Sequence, residues 1–257
     1  MKQIAQTAKI LASVFVALTG FSAAAQMPGS GSPTGMDAAM IKLFGNVNAF
    51  TAKANVQVLD KEKKETTSVP LDFSLLDQKV RVELDVTQIK SKQLAEEDVA
   101  GLKQMGLAQI ISIIRPDKKA TYVIYPSQKS FLRMPMPKEE SDVLEANPKI
   151  EKSPLGKETI DGHPCTKNKV MVTSSQSKTL EATTWNASDL KDFPLQIETT
   201  DKETTSIIRF KDVRFTKADP AQFEPPAGYT DYKDQMELMV AIAKKSVNTA
   251  PDSNPPK

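Results

Sequence analysis

Phe50-Thr51-Ala52-Lys53-Ala54-Asn55-Val56-Gln57-Val58 carries apolar side chains at its even positions and polar ones at its odd positions. Val69-Pro70-Leu71-Asp72-Phe73-Ser74-Leu75 alternates in the same way with the apolar set on odd positions, and Val80-Arg81-Val82-Glu83-Leu84-Asp85-Val86 returns it to even ones. A period of two is the mark of a β-strand with one dry and one wet face. Three such strands in succession predict an antiparallel sheet with one side packed and one side in water. The linker Leu59 to Ser68 is charged and polar, and the turn near Leu76-Asp77-Gln78 is only a few residues long, which is the spacing of a meander. The dry face of this sheet is where a function is expected.

Upstream, Lys2 and Lys9 precede an apolar run from Ile10 to Phe21 and then Ala23-Ala24-Ala25. This is the order of a secretory signal peptide, expected over residues 1–25. The apolar run is shorter than the roughly 20 residues a membrane span needs, and no later segment supplies one. No Cys follows the run, so a bacterial lipid-anchored start is not encoded. Lys2 and Lys9 also account for the whole net charge of +2, so the chain beyond them is neutral. A neutral surface gives no reason to expect nucleic acid as a partner. One cysteine, Cys165, leaves an exported chain without an internal disulfide, so its stability must come from its core.

Residues 26–45 read as a Gly/Ser/Pro-rich lead followed by a short amphipathic helix bearing Met36, Met40, Leu43 and Phe44. After the strand trio the period changes. Ser91 to Arg115 places Leu94, Val99, Leu102, Met105, Ile110 and Ile114 at helical spacing, with Ser91 as a candidate N-cap and Pro116 as a stop. Gly101 and Gly106 weaken or divide this helix. Its second half, Leu107 to Ile114, is apolar nearly all round and is expected to lie over the dry face as a lid. Ala120–Tyr125 and Lys129–Met134 predict a hairpin around Pro126-Ser127-Gln128, and Lys138 to Asn147 a surface helix. Strands are expected at 157–161, 166–173, 179–185, 195–199 and 204–215, the last with a β-bulge near Lys211-Asp212 where the apolar phase shifts. Pro225-Pro226 ends the sheet, residues 231–248 form an amphipathic helix, and 249–257 form a disordered tail. The fold class is therefore mainly β (α+β). A large curved antiparallel sheet of about ten strands occupies residues 46–230, with helices as its cover.

The residues with chemical potential are few. His163 is the only histidine and lies in Asp161-Gly162-His163-Pro164-Cys165. Gly and Pro around it favour a tight turn between strands over a Cys/His nucleophile pair, and zinc usually needs three or four protein ligands. Gly29-Ser30-Gly31-Ser32 lies in the lead, where no nucleophile elbow can form. No P-loop or dinucleotide fingerprint is present. The chain is read as a non-enzyme with no cofactor and no metal site; a hydrolase using His163 is the weakest alternative. Among the methionines, Met105, Met134, Met136, Met236 and Met239 fall on segments assigned to the dry face or its cover, where an adaptable side chain suits varied apolar contacts.

The order of elements resembles the periplasmic lipoprotein-carrier superfamily (LolA/LolB/RseB-like), in an uncharacterised branch. The pieces that carry the likeness are Phe50-Thr51-Ala52, Lys79-Val80-Arg81-Val82-Glu83, Thr121-Tyr122-Val123-Ile124-Tyr125-Pro126, Asp161 to Lys167, the Trp185 strand, and Phe223-Glu224-Pro225-Pro226-Ala227-Gly228-Tyr229. The resemblance implies an unclosed β-barrel whose concave face is covered by helices and holds acyl chains. It implies a periplasmic binding or carrier protein for a lipid, a lipoprotein acyl chain or another apolar molecule. The alternative is an envelope-stress sensor or interaction domain with a protein partner. The expected cavity lining is Phe50, Val56, Val58, Leu71, Phe73, Val80, Val82 and Leu84, faced by Ile110, Ile111 and Ile114. The classical carriers use a cavity arginine; here Arg81 falls on the polar phase of its strand, and that role does not carry over.

Overall fold

The three alternating stretches form β1 (Ala49–Leu59), β2 (Glu65–Leu76) and β3 (Lys79–Asp85) in a computed structural model, which describes residues 38–138, 148–173 and 179–248. They pair antiparallel, with Phe73 opposite Ala52 on one side and Val82 on the other. The apolar phases therefore merge into one face. The β2–β3 turn is tight because Asp77 and Gln78 both adopt left-handed φ angles, 48° and 67°, as the hairpin turns that match strand twist require.

The sheet continues with β4 (Lys90–Ser91), β5 (Gln109–Arg115), β6 (Ala120–Tyr125) and β7 (Ser130–Pro135). A second run comprises β8 (Lys149–Ile160), β9 (His163–Thr173), β10 (Thr179–Ala187), β11 (Phe193–Asp201) and β12 (Thr204–Arg214). A short β13 (Thr230–Tyr232) follows. All belong to one 13-stranded sheet in the order β13-β7-β6-β5-β3-β2-β1-β12-β11-β10-β9-β8, with β4 beside β2. Two meanders thus meet where β1 pairs with β12, and the sheet does not close on itself. All pairs are antiparallel except β13 with β7. The expected bulge is present: Lys53 faces Lys211 but Thr51 faces Arg214, and Asp212 takes a positive φ of 51°. Further register shifts lie between Pro154 and Gly156 and between Trp185 and Asn186. Such shifts bend strands and help curve the sheet.

The helices are α1 (Ala38–Lys42), α2 (Glu96–Gln104) and α3 (Gln235–Asn248). The expected helix over Ser91–Arg115 is corrected here. Only Glu96–Gln104 is helical, and Ala95 rather than Ser91 precedes its first turn. Gly106, at a φ of 68°, ends the turn after α2. Leu107–Ile114 is no lid: Gln109–Arg115 is a central strand paired with β3 and β6. Its apolar run lacks alternation because both of its faces are dry. Ile110 and Ile114 join the main core, whereas Ile113, with Ile111 beside it, belongs to a second cluster behind the sheet. Four isoleucines in five residues also favour a strand, where β-branched side chains pack without loss of χ1 freedom.

That second cluster is covered by the segment from β12 to β13, which crosses the outer face as a strap. Phe223 is fully buried in it with Leu76, Ile113, Tyr122 and Ile124. Arg115, on the outer face of β5, fixes the strap: it donates to the Phe223 carbonyl at 2.9 Å and pairs with Glu224. Arg81 donates to the Gln222 carbonyl at 2.9 Å, which confirms its outward phase. The double proline does not end the sheet, since β13 lies beyond it.

The sheet has thirteen strands where about ten were expected. The C-terminal helix buries Leu238, Met239 and Ile242, whereas Met236, expected on the dry face or its cover, is exposed. The expected signal peptide, lead, surface helix after Lys138 and tail fall on residues outside those described.

Candidate ligand-binding interior

The inner face of the curved sheet is one continuous apolar surface. From β1 to β3 it presents Phe50, Val56, Phe73, Val80, Val82 and Leu84, all buried, with Leu71 partly buried beside them; Val58 is buried but lies outside this cluster. Ile110 and Ile114 extend this face on β5. The expected lining thus comes together, but as one sheet and not as a sheet facing a helix. Ile111 is a further exception, because its odd position turns it to the outer face.

This face is filled by the chain itself. Phe44, directly after α1, lies at the centre of an aromatic cluster. Its ring centroid is 4.9 Å from Phe50, 5.8 Å from Phe73, 5.7 Å from Phe193 and 5.6 Å from Phe210. Those four rings come from β1, β2, β11 and β12, so Phe44 plugs the seam between the two meanders. Met40 and Ile41 of α1, Leu102 of α2 with Leu107 after it, and Leu238, Met239 and Ile242 of α3 add to the cover. A cleft of about 380 Å³ opens beside α1, lined by Ile41, Val47, Leu75 and Asp77 among others. A second, of about 270 Å³, lies on the outer face among Lys53, Asp72, Glu83 and Asp85. It is polar and open to water.

Polar groups on the inner face are few and uncharged. Arg115 is the one buried charged side chain among the described residues, and it serves the strap. Ser112, Tyr125 and Ser130 are buried with hydroxyls that no protein group hydrogen-bonds. Burial pushes the Tyr125 phenol pKa upward, so it stays a neutral donor. Sequence reading passed over all three; the available signal was Ser112, a lone polar residue inside Ile110–Ile114.

The Asp161-Gly162 turn joins β8 to β9, as the residue types suggested, with both at positive φ. His163 Nδ1 lies 2.8 Å from Asp189 Oδ2 at the surface. The Cys165 thiol donates to the His163 backbone carbonyl at 3.4 Å, not to the ring, and burial raises its pKa. A Cys/His nucleophile pair is therefore not assembled. Among the described residues no group of three His, Cys, Asp or Glu side chains is placed to hold a metal ion. No described helix is long and apolar enough to cross a membrane.

The described strands thus form an unclosed, curved, almost wholly antiparallel sheet with helical cover. Residues 70–194 match the model of a family described as a domain of unknown function, DUF4412. The protein is similar to the Mycobacterium tuberculosis lipoprotein LppX, at 10% identity over 77% of this chain and 94% of that one, with a TM-score of 0.39. It is similar to a LolA superfamily protein of Nitrosomonas europaea, at 9% identity over 74% and 98% of the two chains and a TM-score of 0.34. It is also similar to a chain of the Pseudomonas aeruginosa MucA/MucB complex, at 10% identity over 74% and 59% and a TM-score of 0.35. A comparison with curated proteins finds no match.

Proposed function

We propose that the protein is an exported, non-enzymatic carrier or binding protein of the periplasm, and that its concave face takes up a lipid, a lipoprotein acyl chain or another apolar molecule. One observation carries this reading: the apolar inner face is covered by α1 with Phe44, by α2 through Leu102 and by α3, elements that stand outside the strand ladder. Displacing them exposes apolar surface without breaking a β pairing, and a concave, mostly apolar face is the usual form of a lipid site. The lining is Phe50, Val56, Leu71, Phe73, Val80, Val82, Leu84, Ile110 and Ile114.

The test is native mass spectrometry with lipid extraction on the protein recovered from the periplasm. The expected result is a chain beginning at Gln26, carrying extractable acyl lipid. A chain that retains residues 1–25, or one that neither carries lipid nor takes it up from vesicles, would overturn the proposal.

A second reading, a protein-interaction domain, is favoured by β8. Eleven of its twelve residues are exposed, and among the described residues it pairs with β9 alone, which leaves its other edge unpaired by them, with Ile150 and Leu155 exposed. Lys149, Lys152, Lys157 and Pro154 discourage indiscriminate pairing along that edge. A stoichiometric protein in place of lipid in the same experiment would favour this reading.

A further inference from the structure

Three hydroxyls are buried on the inner face at one end of the sheet. Ser112, Tyr125 and Ser130 expose 2%, 0% and 1% of their surface, and no protein group bonds any of their oxygens. They form one patch by register. Tyr125 is directly opposite Ser130 across β6 and β7, which places their Cβ atoms about 4.5–5.5 Å apart. Ser112 is opposite Val123, the residue that precedes Tyr125 on the same face of β6, so Ser112 and Tyr125 are diagonal neighbours at about 7–8 Å. Val123, Tyr125 and Leu132 share this face in the main core.

Burying a hydroxyl without a partner is costly, and most buried side-chain polar groups have one. Other buried polar side chains, such as Asn168, Thr184 and Asn186, hydrogen-bond one another, whereas these three hydroxyls share one patch and are left unbonded, which is chemistry that a closed core does not need. Valine and phenylalanine would fill the same space without the penalty. Each hydroxyl can both donate and accept. No buried charge accompanies them among the described residues except Arg115, on the other face.

We infer that the inner face of β5, β6 and β7 is a polar anchor for the uncharged, oxygen-bearing head of a ligand, an ester or glycerol group, whose chains lie along β1 to β3. This rests on the reading of the concave face as a ligand site. An ester carbonyl accepts from the hydroxyls, and a glycerol hydroxyl donates to them. A phosphate would enter a low-dielectric site with no counter-charge and is disfavoured. The ligand class is therefore a neutral acylglycerol rather than an anionic phospholipid.

The test uses the exported protein after delipidation and three probes: a pyrene-labelled alkane, a fluorescent diacylglycerol, and a phosphatidylglycerol carrying the same fluorescent chain. Diacylglycerol is expected to bind most tightly. Tyr125→Phe, and Ser112→Ala combined with Ser130→Ala, should each weaken diacylglycerol binding roughly tenfold, as loss of a buried hydrogen bond does, while alkane binding stays unchanged. Neither variant should lower Tm, because the ligand-free protein loses only unpaired hydroxyls. Unchanged diacylglycerol binding in both variants overturns the anchor. So does a fall in Tm with binding intact, which would assign the hydroxyls to structure. Phosphatidylglycerol binding as tightly as diacylglycerol overturns the ligand class. If the alkane binds but diacylglycerol gains nothing over it, the anchor falls and the carrier reading stands. If no probe enters, both fall.

Discussion

Phe44→Ala is expected to open the concave face. Phe to Ala in a core costs about 3–5 kcal/mol. Phe44 touches four other phenylalanines, so the loss should fall in that range. If α1 is a displaceable cover, the cost falls on the covered state and not on the sheet, whose hydrogen-bond ladder does not involve this side chain. Each 1.4 kcal/mol is tenfold in an equilibrium, so the uncovered population should rise by about a hundredfold to a few thousandfold. The expected readouts are stronger binding of a hydrophobic dye and faster uptake of an alkane probe, with the strand signal in circular dichroism retained. A different result would show Phe44 to be an ordinary part of one solid core: a large drop in Tm for the whole domain, with no added dye binding below the transition. That outcome would remove the main physical support for a carrier.

Arg115→Ala is expected to release the strap. The guanidinium is buried and donates to Asp117 through Nε at 2.8 Å and Nη2 at 2.7 Å, besides its contacts with the Phe223 carbonyl and Glu224. Asp117 and Glu224 are half-exposed and stay hydrated without it, so the loss is that of charge-assisted hydrogen bonds, about 1.5–3 kcal/mol. In a domain of this size that lowers Tm by roughly 3–12 °C. Limited proteolysis should then cut within residues 215–229, which the intact protein protects.

The same network predicts a dependence on acid. The Arg115 hydrogen bond holds the Asp117 carboxyl below its ordinary value of 3.8, against the opposing effect of burial. Burial raises the Glu224 carboxyl, but the bonds from Arg115 and Lys118 outweigh it and leave it below its ordinary 4.5. Both folded values are depressed, so their contribution is complete above the unfolded values and is lost as pH falls through the folded ones. Arg115 stays charged throughout, its own pKa being raised by the Asp117 bond. Strap protection should therefore be constant from pH 7 to about pH 5 and weaken below pH 4, and Arg115→Ala should flatten this profile. A variant that melts and resists proteolysis like the wild type would assign the strap to Phe223 alone.

The parts of this fold that the sequence announces are those with one wet side. β1, β2 and β3 alternate because water touches one face of each, and their burial alternates in step. β5 does not alternate, because the strap covers the face that would otherwise be wet. The strap itself has no periodicity, since it is held by the Phe223 ring and by Arg81, Arg115 and Lys118 rather than by a repeat. Its presence is what made Leu107–Ile114 look like a helix. The inner lining was legible for the same reason as its strands, while the plug was only half legible. The spacing of Met40 and Phe44 marks a helix face, but Phe193 and Phe210 lie about 150 residues further on, and local spacing carries no trace of that meeting.

The junction of β1 with β12 also sets the order in which the chain can fold. Lys53 pairs with Lys211, a separation of 158 residues, while β2 is a short turn away on the other side of β1. Closing such a loop is entropically expensive and slow relative to hairpin formation. As the chain emerges from its N-terminus, β1 to β7 can zip up as a meander, but the free edge of β1 stays exposed until residue 214 has emerged. During that interval Phe50 and Phe73 lack Phe193 and Phe210, and an unpaired strand bearing apolar residues invites pairing with other chains. The pairing that makes the two meanders one sheet is thus also among the last to form, before only the short β13, and the step at which assembly is most exposed to error.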